Sequence, residues 1–188
     1  MSETQQTAQD LAFVRDVVRR SESDPPVSVA IGFMWAAIVL AGCLLNDLIP
    51  QYCWIFWITV PPVGFFISGM FGKRAALDAG MSDAGKRSRH AMHWSIVFWA
   101  GLPIVLLFFR HQIDGWTMGQ LLLLLSGMMF FLGGVHLERN YLLPGVAFIV
   151  SAAILSFRFP FVWTTCGVIV AATLIVSFSV GHRKVPNV

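Results

Sequence analysis

The stretch YLLPGVAFIVSAAILSF (Tyr141–Phe157), Arg158 and FPFVWTTCGVIVAATLIVSFSV (Phe159–Val180) decides the fold, because these 40 residues carry a single charged side chain. A surface helix of a water-soluble protein shows a polar face, whereas these two runs are apolar on all sides. At about 1.5 Å rise per residue, each run is long enough to cross a hydrocarbon layer about 30 Å thick. We therefore predict two membrane-spanning helices joined by a tight turn at Arg158.

Four more apolar runs precede this pair, separated by short polar connections. They are Val27–Leu45, Tyr52–Phe71, Ala91–Phe109 and Trp116–Leu137. A chain of 188 residues that is 56% hydrophobic and 12% charged, with a mean hydropathy of +0.70, cannot bury six such helices in water. We predict an all-α polytopic integral membrane protein with six transmembrane helices in three antiparallel hairpins. The predicted divisions are a leader (1–26), a transmembrane domain (27–180) and a tail (181–188).

Basic residues fall on one side of the predicted helices. Of the 13 Lys and Arg, 11 lie in the leader, the connection Gly72–His90, the turn Glu138–Asn140 and the tail, whereas the opposite side holds only Arg110 and Arg158. Because short cytoplasmic connections carry the excess of Lys and Arg, we predict that both termini are cytoplasmic, in a bacterial inner membrane. The net charge of +3 then reflects topology, and no nucleic-acid partner is expected because no basic soluble domain accompanies it.

The leader contains a segment, Thr7–Arg20, with the pattern of an amphipathic helix. Its apolar residues recur on one helical face, and its charged residues lie on the other side. Such a helix would lie on the anionic inner leaflet or pack on a partner protein. The predicted contact residues are Leu11, Val14, Val18, Arg15, Arg19 and Arg20.

Proline marks the second and third runs as irregular. Pro61 and Pro62 remove two backbone donors near the middle of the second run, and Pro103 does the same once in the third. We predict a kink at each site. Broken helices line substrate sites in transporters, but they also occur as plain packing features, and the sequence leaves both interpretations open.

Histidines are the only candidate haem or metal ligands. His90 and His93 open the third run and His136 closes the fourth, so all three should meet near the cytoplasmic end of one hairpin. Glu138 and Arg139 follow directly, and the five residues form a candidate polar or ligand cluster. Spacings typical of ligand motifs, such as His-x-x-x-His, are absent, so no metal or other cofactor is predicted.

Three cysteines lack metal-ligand spacing. Cys43 and Cys53 flank one short connection, so a bridge is one interpretation, and free buried thiols are the other. Leu40–Cys43 reads LAGC, as in a lipoprotein cleavage box, but five further spans follow it. Cys166 lies alone in the sixth run.

Two sequence matches recur in the same order in the first two hairpins. MWAAIVLAG (Met34–Gly42) resembles HWSIVFWAG (His93–Gly101), and FFISGMFGKR (Phe65–Arg74) resembles FFLGGVHLER (Phe130–Arg139). A duplication would relate these hairpins by an axis along the membrane normal. The alternative is chance, because membrane segments use few residue types.

No Asp, Glu, Lys or Arg occupies the central portion of any run, which disfavours an ion-coupled pump. Gln120 is the strongest polar group inside the runs. The leading hypothesis is a non-enzymatic inner-membrane module, an accessory subunit or regulator that acts at the cytoplasmic face beside a membrane partner or a second copy. The alternatives are a small transporter or channel for a neutral or amphipathic solute, and a haem or metal protein or enzyme that uses His93 and His136.

Overall fold

The computed structural model describes residues 5–6, 11–13, 29–78 and 84–182, and within these ranges the chain contains helices and turns but no strand. Six helices are long and apolar enough to cross a membrane, which confirms the predicted all-α polytopic membrane fold. The helices are α1 (Val29–Leu48), α2 (Cys53–Asp78), α3 (Ala84–Phe109), α4 (Gly115–His136), α5 (Leu142–Ile154) and α6 (Val162–His182). Two short 3₁₀ turns, Arg139–Tyr141 and Leu155–Phe157, flank α5.

Little of the predicted leader helix falls within the described residues. Residues 5–6 and 11–13 are helical, and Leu11 and Phe13 are exposed. The other predicted contact residues of the leader lie outside the described ranges. They are Val14, Arg15, Val18, Arg19 and Arg20. The amphipathic helix therefore stays a prediction.

The helices extend past the apolar runs at one end of the bundle. α2 continues beyond the end of its apolar run at Phe71 to Asp78, and α3 begins at Ala84, before its apolar run starts at Ala91. An apolar run reports the thickness of the hydrocarbon layer, whereas a helix stops only where its backbone pattern is broken. Lys, Arg and Ala are good helix formers outside the membrane, so the helices continue into the polar connection.

The helices do not contribute equally to the core. α1 packs mainly on α6, α6 on α5 and α5 on α4, and we call these four helices the four-helix core. α2 attaches to α1 and α3 attaches to α4, and we call these two the flanking pair. Only 6% of each flanking span is buried, against 44% for the α5 span and 50% for the α6 span.

Glycines set the close approach of α4 and α5. A Cβ built on Gly145 would lie 2.4 Å from the backbone nitrogen of Phe131, and one on Gly134 would lie 2.6 Å from the backbone nitrogen of Leu142. No side chain larger than hydrogen fits between backbones at these distances. Close backbone contact is a main source of helix association in lipid, where burying apolar surface contributes little.

α1 and α6 contact each other near both ends of the bundle. Gly32 lies against the Phe178 ring, where a Cβ would be 2.6 Å away, and Gly167 lies against Cys43. At the end of α1, Asp47 Oδ2 accepts hydrogen bonds from the backbone nitrogen of Thr164 (2.7 Å) and from its hydroxyl (2.6 Å). Asp47 therefore caps the start of α6 across the helix pair.

The cysteines are free thiols in this arrangement. Cys43 is buried against α6, and Cys166 is buried with its thiol 3.4 Å from the carbonyl oxygen of Ser151. Cys53 instead donates to the carbonyl oxygen of Pro50 at 3.0 Å. The neighbour of Cys43 is thus α6 and not the short connection that leads to Cys53.

Candidate functional site

A polar cluster lies at the end of the bundle where Lys73, Arg74, Arg89 and Arg139 are exposed, which we call the basic end. His90 Nε2 on α3 lies 3.7 Å from Glu138 Oε1, just beyond α4. The Glu138 side chain is only 10% exposed and that of His90 is 33% exposed, so the pair is partly shielded from solvent. Shielding strengthens an interaction between a carboxylate and a protonated imidazole.

Backbone hydrogen bonds at the end of α4 place Glu138. The nitrogens of Leu137 and Glu138 both donate to the carbonyl oxygen of Gly133, at 2.8 and 3.0 Å. Glu138 then adopts an extended conformation, and its carbonyl oxygen accepts a hydrogen bond from the Tyr141 nitrogen at 3.0 Å. These bonds stop α4 and turn the Glu138 side chain toward α3.

His93 lies one turn further along α3 and bonds α3 to α4. Its Nε2 is 3.0 Å from the carbonyl oxygen of Met129. A carbonyl oxygen can only accept, so Nε2 carries the hydrogen and donates it. Gly133 provides room for the ring, because a Cβ there would be 3.1 Å from His93 Nε2. With Nε2 engaged, His93 retains only Nδ1 as a ligand atom.

The other predicted members of the cluster face outward. His136 and Arg139 are exposed, and no described hydrogen bond or ion pair joins His136 to His93. Within the described ranges no group of three His, Cys, Asp or Glu side chains is placed to hold a metal ion. The structure therefore brings together His90 and Glu138, with His93 adjacent, and leaves His136 apart.

An aromatic cluster lies directly behind His93. The Trp94 ring packs edge to face with Phe130 at 5.0 Å and with Tyr141 at 5.5 Å, and Tyr141 in turn packs on Phe178 of α6 at 5.9 Å. Tyr141 is only 6% exposed. Sequence reasoning did not identify Tyr141 as a residue that contacts three helices. The available signal was its position directly after the Glu138–Asn140 turn.

Polar side chains inside the spans bind neighbouring helices. Gln120 Nε2 donates to the carbonyl oxygen of Ala152 (2.8 Å) and to the Ser156 hydroxyl (2.9 Å), which bonds α4 to α5. Trp35 Nε1 on α1 donates to the Ser68 hydroxyl on α2 at 3.0 Å. Among the described residues, the Ser151 hydroxyl is the buried side-chain oxygen that lacks a hydrogen-bond partner.

The three prolines that were predicted to kink helices lie in the flanking pair. Pro61 and Pro62 lie inside α2 and Pro103 lies inside α3, and both helices continue through them. That these prolines bend the helices stays a prediction. The carbonyl oxygen of Gly64, in the turn after Pro61, accepts a hydrogen bond from the Ser68 hydroxyl at 2.8 Å.

A second polar group lies at the opposite end of the bundle. Asp114 is the N-cap of α4, and its Oδ1 accepts a hydrogen bond from the Thr117 nitrogen at 2.7 Å. The Thr117 side-chain and backbone hydrogen bonds, with a smaller effect of Arg158, hold the pKa of Asp114 below its ordinary value. The Arg158 guanidinium lies 5.1 Å from the centre of the Trp116 ring, a cation–π contact. Sequence reasoning missed both caps, Asp47 and Asp114.

The basic-end cluster offers an imidazole and a carboxylate that can exchange a proton or bind a polar segment, at the end of the bundle where four Lys and Arg side chains are exposed. Its described members do not include a Ser, Cys or Lys nucleophile paired with a base. Comparisons of the chain with models of known protein families, with curated proteins and with solved structures found no match.

Proposed function

We propose that this protein is a non-enzymatic membrane module, an accessory subunit or regulator of a membrane complex, that recognises its partner at the basic end. The observation that carries the proposal is the use of polar side chains inside the spans. Gln120, His93 and Trp35 each donate a hydrogen bond to a neighbouring helix. A transport path or an intramembrane active site needs polar groups directed at a ligand, whereas these groups hold helices together.

Charge supports the choice of the basic end. Lys73, Arg74, Arg89 and Arg139 are exposed at the same end of the bundle as the shielded Glu138. Such a surface attracts an acidic segment of a partner protein and anionic lipid head groups. We propose that this end faces the cytoplasm of a bacterial inner membrane, because of the bias of Lys and Arg toward it.

Co-purification tests the partner. The tagged full-length protein is isolated from native membranes in a mild detergent, beside a Lys73→Ala/Arg74→Ala variant and a variant that lacks residues 1–20. We expect a stoichiometric partner with the native protein and at least a several-fold loss with both variants. Arg110→Ala/Arg158→Ala, at the opposite end, is the matched control and should retain the partner. Purification without any stoichiometric protein, or equal recovery with all variants, would overturn the proposal.

A transporter or channel is the second candidate, and one observation favours it. Three prolines, Pro61, Pro62 and Pro103, lie in the interior of the flanking helices, whose spans are the least buried and therefore the freest to move, whereas Pro144 of the core lies in the first turn of α5. Uptake of neutral amphipathic solutes into proteoliposomes tests this function. Flux that Pro61→Ala/Pro62→Ala reduces and Ala153→Leu does not would support a transporter over an accessory module.

The haem or metal alternative has a simple test. We propose that the native protein binds neither, since His93 Nε2 donates to the Met129 carbonyl oxygen. Absorbance spectra and elemental analysis of protein purified from native membranes should show no haem band and no stoichiometric metal. A haem band lost in His93→Ala would contradict this expectation.

A further inference from the structure

The two segments that resemble each other in sequence make matching contacts in their hairpins. Trp35 of α1 packs edge to face on Phe65 of α2, with ring centres 4.8 Å apart at 65°. Trp94 of α3 packs on Phe130 of α4 in the same way, with centres 5.0 Å apart at 69°. The four residues hold corresponding positions in the two sequence matches.

A second contact fixes the same register. Gly42 lies against the Trp57 ring, and Gly101, its counterpart, lies against the Leu122 side chain. Trp57 precedes Phe65 by eight residues, as Leu122 precedes Phe130. Both hairpins thus share one antiparallel alignment. The second hairpin is longer beyond these contacts, mainly because α3 runs further past Gly101 than α1 runs past Gly42 and α4 begins further before Leu122 than α2 begins before Trp57. The α1–α2 and α3–α4 hairpins are therefore structural repeats, in which α2 corresponds to α4.

The corresponding faces of α2 and α4 differ in what covers them. On α4, Gly127 and Gly134 are buried by α5. The backbone of Phe131, between them, meets Gly145 of α5. The corresponding α2 residues are Pro62, Phe66 and Gly69, which we call the α2 face. All three are exposed, Phe66 by 70%, and no described atom lies within 4 Å of a Cβ built on Gly69.

We propose that the α2 face packs against α3 of a second copy of this chain. The helix that covers α4 runs antiparallel to it, so the helix that covers α2 should also run antiparallel, as α3 does. Within one chain, α3 meets α2 only lightly, through the Phe65 and Phe98 rings at 5.0 Å. The span of α3 is itself only 6% buried.

A two-fold axis along the membrane normal gives both α2 and α3 a helix to pack against. It places α2 on the partner's α3 and α3 on the partner's α2, which is a self-complementary interface. A rotation about such an axis leaves every residue at its own depth in the membrane. Phe98 lies at the depth of Phe65, because the two rings are in contact. Ala91 and Ser95 therefore lie near the depth of Gly69. These small residues can allow close backbone contact with α2, as Gly145 of α5 does with α4. The contact is independent of the partner proposed for the basic end.

The oligomeric state tests the proposal. The full-length protein is extracted into nanodiscs with native lipid, and its mass is measured for the native chain, Gly69→Leu and Ala37→Leu. We expect a dimer for the native chain, at least a ten-fold weaker dimer for Gly69→Leu, and no change for Ala37→Leu, an exposed site on α1. Leucine fits the open space at Gly69 within one chain, so the variant should melt like the native protein. A monomeric native chain, or a dimer that Gly69→Leu leaves intact, would refute the contact.

Cross-linking identifies the occupant directly. Two differently tagged copies with their native cysteines replaced by alanine are co-expressed, one with Gly69→Cys and the other with Ala91→Cys. Oxidation in membranes should join the two tags in one band, because the bond can form only between chains. A control pair with Ala37→Cys in place of Gly69→Cys should not cross-link. Failure to join the tags, or a covalent product with a different protein in their place, would rule out a second copy at this face.

Discussion

The four-helix core and the flanking pair are built from similarly apolar helices, yet they use their glycines differently. In the core, Gly134 and Gly145 allow two backbones to touch, whereas Gly69 and Gly72 of α2 meet no described atom within 4 Å. Apolarity places a helix in the membrane, but it does not select a neighbour, since lipid tails are as apolar as leucine. Small residues and a few hydrogen bonds therefore determine which helices form the core.

The largest expected effect tests this difference between glycines. Gly145→Ala puts a methyl group 2.4 Å from the Phe131 nitrogen, so α5 must shift away from α4. We expect a loss of about 1–3 kcal/mol in the free energy of unfolding, the usual cost of overpacking. Gly72→Ala should change it by less than about 1 kcal/mol, in the stabilising direction, because alanine favours helix. Reversible unfolding in mixed micelles measures both, and equal effects would contradict the difference between the core glycine and the α2 glycine.

The cap between α1 and α6 should give the next largest effect. Asp47→Ala removes the acceptor of two hydrogen bonds from Thr164. We expect a loss of about 1 kcal/mol, as for other N-caps. Asp47→Asn keeps an acceptor oxygen and should lose less. The same micelle unfolding assay ranks the three proteins, and an Asp47→Ala variant as stable as the native chain would show that the cap is dispensable.

Hydrogen bonds in the core and in the flanking pair can be compared by one substitution each. Gln120→Leu removes the bonds from α4 to Ala152 and Ser156. Hydrogen bonds between membrane helices contribute about 0.6 kcal/mol on average, so we expect a loss near this value. Ser68→Ala removes the acceptor of Trp35 Nε1 and should affect the α1–α2 contact alone. In the micelle unfolding assay the midpoint should change less in Ser68→Ala than in Gln120→Leu, and the reverse order would contradict this comparison.

Acidification should give the smallest effect, at the end of the bundle opposite the basic end. The pKa of Asp114 is lowered in the folded protein, so its cap stabilises α4 at pH values above the ordinary carboxyl pKa. That contribution is lost as the pH falls through the lowered pKa. The stability difference between the native chain and Asp114→Ala should be constant from pH 7 to about 5 and shrink below about pH 4. A difference that does not depend on pH would exclude the ionised carboxylate as its source.

Most of the fold could be predicted from the sequence because run length and apolarity directly report the hydrocarbon layer. The meeting of His90 with Glu138 follows from the same logic, since both flank one antiparallel hairpin. Sequence reasoning did not reveal the contact between α1 and α6. Neither helix carries a charge pattern that would fix a register, and the pairing depends on Gly32, Gly167 and the cap by Asp47.

The extent of α2 and the divided roles of the histidines were not predicted from the sequence. Lys73 and Arg74 read as the start of a polar connection, although α2 continues through them to Asp78. His93 read as a ligand candidate beside His136, but its hydrogen bond to a backbone oxygen of α4 depends on the room left by Gly133. Such a fit between a ring and a glycine leaves no periodic trace in a sequence.

The cap of α6 by Asp47 joins residues that are 117 positions apart. During synthesis, α1 enters the membrane before its partner α6, so α1 remains exposed to lipid until the four helices between them have been translated. The core then closes in a single late step, after the first two hairpins have inserted. A ribosome-stalled chain that ends before α6 should accordingly leave Cys43 open to alkylation, and a longer chain in which α6 has inserted should protect it.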